Sequence, residues 1–113
     1  MQKLKTPKSI ELELLVIKNN RKDETDKVIA YHANHLPIRC VFESKPWLSN
    51  AGNAALKEAT GDYILRTDDD VLVDENWIET YSRAFEGSPE AAIFGVPISP
   101  WFEGTPAKWL ETV

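Results

Sequence analysis

Three consecutive carboxylates, Asp68, Asp69 and Asp70, are the residues of this chain best placed to do chemistry. Their charges repel one another, and a purely structural strand end has no need of them, so a positive group is expected nearby. A hard divalent cation such as Mg²⁺ or Mn²⁺ takes oxygen ligands, keeps several waters and is commonly held by one or two carboxylates together with substrate phosphates. Asp68 and Asp70 suit that task if the chain turns between them. The competing reading is a solvated turn in which Asp68 or Asp70 only accepts backbone N–H bonds. An EF-hand loop would need an oxygen ligand where Leu72 stands and a glycine where Val73 stands, so a calcium loop is excluded. No Gly-x-x-x-x-Gly-Lys precedes the triplet, which removes a P-loop enzyme. His32 and His35 lie on a polar helix end with no metal partner at useful spacing and read as solvated.

The elements that must position the triplet follow from the hydrophobic pattern. Residues 12–17 (LELLVI) form a nearly continuous apolar run that reads as a strand buried on both faces, the habit of parallel sheets. Asn20 or Asp23 can cap a helix whose Val28, Ile29 and Leu36 face inward, and Pro37 stops it. Residues 38–42 (IRCVF) read as the second strand, residues 43–47 as a loop. Ser49 or Asn50 starts a second helix, whose Ala51, Ala54, Ala55 and Ala59 make a narrow stripe suited to close packing on a sheet. Gly61 is the expected residue after that helix's C-cap, and residues 63–67 are predicted to be a third strand that delivers Asp68 at its end. Asp74 should cap a third helix with Trp77, Ile78, Tyr81, Ala84 and Phe85 on its inner face, ended by Gly87, Ser88 and Pro89. Residues 91–96 are predicted to be a fourth strand. Strand and helix alternate three times, which favours an α/β fold with a mostly parallel sheet flanked by helices in three layers. In such folds ligands bind at the carboxyl ends of the strands, where the triplet falls.

Composition narrows the partners. The chain has 113 residues, of which 18 are acidic and 13 basic, for a net charge of −5, so it lacks the basic footprint that nucleic-acid binding needs. One domain at most fits this length. The longest uncharged stretch, residues 91–102, is shorter than a membrane span and carries Pro97 and Pro100, and no secretory signal is visible. A cytoplasmic location follows, with peripheral membrane association in a longer protein as the variant. Cys40 has no second cysteine and lies in an apolar run, so packing is its expected role. The same expectation holds for Trp101 and Trp109, with sugar stacking as the alternative, while Glu103 reads as a solvated loop residue.

The order of residues is more specific than any one motif. Leu48-Ser49, Ala51, Asn53, Ala59-Thr60-Gly61-Asp62, the Asp triplet and Asp74-x-x-Trp77 recur in sequence, within a chain that from residue 10 onward resembles the family-two glycosyltransferases. The resemblance implies the GT-A fold, a Rossmann-like nucleotide-diphospho-sugar transferase architecture. It also implies transfer of a sugar from a nucleoside diphosphate sugar to a sugar or lipid acceptor, with a divalent metal held by the Asp-x-Asp motif. Carried over by position, Asp70 would ligate Mn²⁺ or Mg²⁺ together with Asp68, Asp68 would also lie near the nucleoside ribose, and Asp68, Asp69 and Asn53 would bind the nucleotide. Residues 1–113 would then be a single partial domain, the donor-nucleotide side. The family's opening strand, placed in the sheet between residues 12–17 and 63–67, would precede Met1, and the catalytic base would follow Val113, so no catalytic residue is assigned. Leu4 to Ser9 resemble the end of the helix after that strand.

Three departures stand out. Lys18-Asn19 replaces the family's Asp-Asn, and Ala51-Gly52-Asn53 replaces its Ala-Arg-Asn, losing a cation; Gly95-Val96 likewise stands in place of Gly-Gly. They support the alternative of a degenerate, non-catalytic domain acting as a binding module, in which the unfilled sheet self-associates. A phosphatase of the haloacid dehalogenase type with Asp68 as nucleophile is a third reading, weakened because Leu72 stands where that motif has Thr or Val.

Overall fold

A computed structural model describes residues 4–19 and 24–110. The chain divides into two compact units, Met1–Thr80 and Tyr81–Val113. The first holds a parallel pair of strands, β1 (Leu14–Lys18) and β2 (Ile38–Phe42), in register from Leu14 opposite Ile38 to Lys18 opposite Phe42. Both strands lie where the apolar runs place them. Backbone bonds extend the ladder at each end, from Leu14 N to Pro37 O (3.0 Å) and from Glu43 N to Lys18 O (2.8 Å).

The crossover between the strands is α1 (Thr25–His32). The capping residues expected at positions 20 and 23 lie outside the described residues. Ile29 and Leu36 are half-buried, but Val28 is 55% exposed, because the helix touches β2 along a narrow line. After Pro46 comes α2 (Leu48–Glu58), which packs on β1 and buries Ala54. The small-residue stripe therefore does what its spacing predicts: methyl groups let the helix axis approach the sheet.

The end of α2 differs from expectation. No glycine among the described residues has positive φ, so Gly61 is not a left-handed cap. Instead Ala59 turns extended (φ −65°, ψ 137°), and Glu13 accepts hydrogen bonds from Thr60 N (3.2 Å) and Thr60 Oγ1 (3.0 Å). Arg39 donates to the same carboxylate from Nε (3.0 Å) and Nη2 (2.8 Å), and to Glu58 from Nη1 (2.8 Å). Those bonds hold Glu13 below its ordinary carboxyl pKa and Arg39 above its own ordinary value.

Residues 63–67 and 91–96 are not strands. Among the described residues no strand lies beside either segment to complete a ladder, and a strand's backbone groups need a partner. Tyr63 and Ile64 are 53% and 50% exposed. Residues 4–9 are not helical either: Lys5 instead pairs with Glu75, through Lys5 N to Glu75 O (2.8 Å) and Nζ to Oε1 (2.9 Å).

The third helix, α3 (Trp77–Gly87), begins as Asp74 predicts, with its Oδ1 accepting from Asn76 N at 2.8 Å. Ile78 is buried at 4%, and Trp77 is half-buried. In the second unit Tyr81 and Phe85 stack at 5.9 Å, and Phe94 meets Phe85 edge-on at 5.1 Å. A short 3-10 turn covers Lys108–Leu110. Cys40, Trp101 and Trp109 are exposed, against the packing role expected of them. Glu103 is exposed, as a loop residue should be.

Candidate functional site

The carboxyl end of β1 carries Lys18, the first of the departures from the family pattern. Lys18 closes β1, is 8% exposed, and places Nζ 2.8 Å from Asp26 Oδ1 on α1. A buried ammonium needs such a partner, because desolvation without one is costly. Its head therefore fastens β1 to α1. Asn19 donates from Nδ2 to Glu43 O (3.3 Å) and Lys45 O (3.0 Å), tying the end of β1 to the loop after β2.

That loop leads to Trp47, whose φ of 86° and ψ of 143° lie where bulky residues rarely sit. Its ring is 78% exposed. Asn50 Nδ2 holds the turn from inside α2 by donating to Pro46 O at 2.6 Å. Bonds from both sides thus fix a strained residue at this edge.

The triplet follows an irregular stretch, with Asp69 and Asp70 in a turn and all three residues exposed. No carboxylate of the three has a hydrogen-bond or ion-pair partner among the described residues; the local bond is from Thr67 Oγ1 to the backbone oxygen of Asp68 (3.3 Å). The described residues contain no group of three His, Cys, Asp or Glu arranged to hold a metal. A cation at Asp68 and Asp70 would therefore need water or substrate oxygens to complete its shell.

Asn53 is exposed on α2. One contact relates its turn of helix to the acidic stretch: Arg66 Nη1 lies 3.7 Å from the point a Cβ on Gly52 would occupy. In the sequence Gly52 shows only a lost cation and Arg66 carries no signal, because the meeting of residues 52 and 66 is tertiary.

With this geometry in place, comparison with known proteins identifies the class. The sequence model of Glycosyl transferase family 2 matches residues 3–111, and the chain belongs to that family. Its fold is therefore the α/β GT-A fold, of which the parallel β1–β2 pair and the flanking helices are a part. Members generally use nucleotide-sugar donors, often with a divalent metal. A curated relative, the glucosyl-dolichyl phosphate glucuronosyltransferase of Haloferax volcanii, is 26% identical over 103 residues, which is 88% of this chain and 33% of that protein. The chain thus spans about a third of that relative's length. No solved structure matches the chain significantly. No helix among the described residues is long and apolar enough to cross a membrane.

Proposed function

We propose that this chain is the donor-nucleotide side of a glycosyltransferase, binding a nucleoside diphosphate sugar and a divalent metal for transfer to a sugar or lipid-linked acceptor. The observation that carries the reading is the exposed run Asp68-Asp69-Asp70, whose carboxylates have no partner among the described residues, in a family whose donors carry a diphosphate. Asp70 and Asp68 hold Mn²⁺ or Mg²⁺, while Asp69 and Asn53 contact the nucleotide. A metal bound there supplies charge neutralisation for the leaving diphosphate. The chain's own residues bind and orient the donor; removal of the acceptor's proton needs a base that none of the assigned residues provides. The relative's name suggests a lipid-linked acceptor, which suits a cytoplasmic chain or one peripheral to a membrane.

The test is thermal unfolding with Mn²⁺ plus UDP or GDP. A raised Tm that Asp70→Ala abolishes supports the reading, and no shift at millimolar ligand sinks it. Ligand at a hundredfold above Kd would add about 2.7 kcal/mol.

A second reading is favoured by one observation. β1 pairs with β2 on one side, and among the described residues its other edge has no strand, while Tyr63 and Ile64 lie exposed. An open edge templates pairing with another chain. In this reading the domain is a non-catalytic module that associates with a second copy. Light scattering after size exclusion decides it: a monomer across micromolar concentrations removes self-association.

A further inference from the structure

We propose that Arg66 is the side chain that grips the diphosphate of a ligand bound at the Asp68–Asp70 turn; the inference rests on the donor-site reading above. Two carboxylates that ligate a divalent ion offset much of its charge, so the ion neutralises a diphosphate only in part. Asp69 adds a further negative charge beside them. A separate cation facing the diphosphate is therefore required to balance the charge that the metal leaves. Lys18 does not serve, because its ammonium is buried and engaged by Asp26.

Arg66 meets the requirement. It lies two residues before Asp68, is exposed, and has no hydrogen-bond or ion-pair partner among the described residues, although three carboxylates follow it closely in sequence. Its guanidinium rests against Gly52, where a glycine leaves room for it: among the described residues, outside the helix's own backbone, Nη1 is the group that lies within 4 Å of a Cβ built at that position. Any longer side chain at position 52 would compete for the guanidinium's place. The guanidinium is a planar fork of donors matched to phosphate oxygens, and it is less strongly hydrated than an ammonium. That contact joins the α2 turn that carries Asn53 to the stretch that leads into Asp68.

The experiment is calorimetric titration of the full chain with inorganic pyrophosphate, UDP and uridine, each with Mn²⁺. Arg66→Ala and Arg66→Gln should weaken pyrophosphate and UDP about 10- to 100-fold, the range of a charge-assisted hydrogen bond. Arg66→Lys should recover only part of the loss, and uridine affinity should not change. Gly52→Met should reproduce the loss, and the double variant Gly52→Met with Arg66→Ala should be no weaker than either alone. Unchanged UDP and pyrophosphate affinity in Arg66→Ala would overturn the role of Arg66 and leave the donor site standing. A wild-type chain that binds neither pyrophosphate nor UDP, nor GDP titrated in the same way, would overturn both. Because Arg66 is exposed, its replacements should fold, which far-ultraviolet circular dichroism checks.

Discussion

Residues 14–18 and 63–67 carry the same kind of sequence, short, apolar and β-prone, yet the first is a strand and the second is not. β1 has β2 beside it in parallel register, Glu13 anchored by Arg39 just before it, and Asn19 anchored to the next loop just after it. Residues 63–67 have no neighbouring strand among the described residues and leave Tyr63 and Ile64 in solvent. The difference shows that a strand is a property of a pair. Alternation and β-branching describe a surface that fits a sheet, and they acquire structure only when a neighbour takes up the backbone groups.

The sharpest way to break the comparison is to place proline in each segment. Leu14→Pro removes the bond to Pro37 O and should cost about 1–3 kcal/mol in urea unfolding, the expense of an unmade buried bond. The matching Ile64→Pro should stay within about 0.5 kcal/mol, as a surface change in an unpaired stretch does. Equal losses would show that residues 63–67 are paired in solution. Amide hydrogen exchange gives the same contrast without mutation, with slow exchange in β1 and β2 and fast exchange at 63–67.

Smaller effects sharpen the contrast between the tied edge and the loose one. Trp47→Gly should raise stability by about 1 kcal/mol, because glycine adopts positive φ without the strain that Asn19 and Asn50 now oppose. Gly52→Ala should add about 0.5–1 kcal/mol, since the residue lies inside α2 at ordinary helical φ and an added Cβ meets only Arg66 Nη1 at 3.7 Å. Differential scanning calorimetry checks both.

The smallest effect is that of pH on Glu13, which solvent reaches. Its pKa is lowered on folding, chiefly by Arg39 and then by Thr60, from an ordinary value of 4.5. The stabilisation is therefore complete above about that ordinary value and fades as pH falls through the lower folded value. Glu13→Gln should flatten the acid limb of a stability profile below about pH 4.5. An unchanged profile would show that the Arg39 cluster does not hold the end of α2.

Much of the paired half was legible in the sequence. LELLVI and IRCVF announce themselves by continuous apolar character, the alanine stripe of α2 by its period, and the start of α3 by Asp74. Those signals are local, and the neighbours that satisfy them are present. Gly61 failed as a cap because a long-range partner, Glu13, satisfies Thr60 more directly than a left-handed turn would. Cys40, Trp101 and Trp109 read as core residues because hydrophobicity says what a side chain prefers and not whether a wall exists to receive it. At the candidate site, the acidic turn was legible as chemistry, whereas Arg66 against Gly52 was not, since it depends on how α2 and the stretch before Asp68 meet.

The distribution of tryptophan has an optical consequence. Trp47, Trp101 and Trp109 are at least 66% exposed, while Trp77 is half-buried at the start of α3. Most of the indole emission of the native chain should already be at the long wavelength of a wet ring and open to quenching by iodide. Unfolding will then shift the spectrum little, and the part that does shift reports on Trp77. Phenylalanine in place of Trp47, Trp101 and Trp109 would turn the chain into a single-reporter system whose colour follows α3 alone.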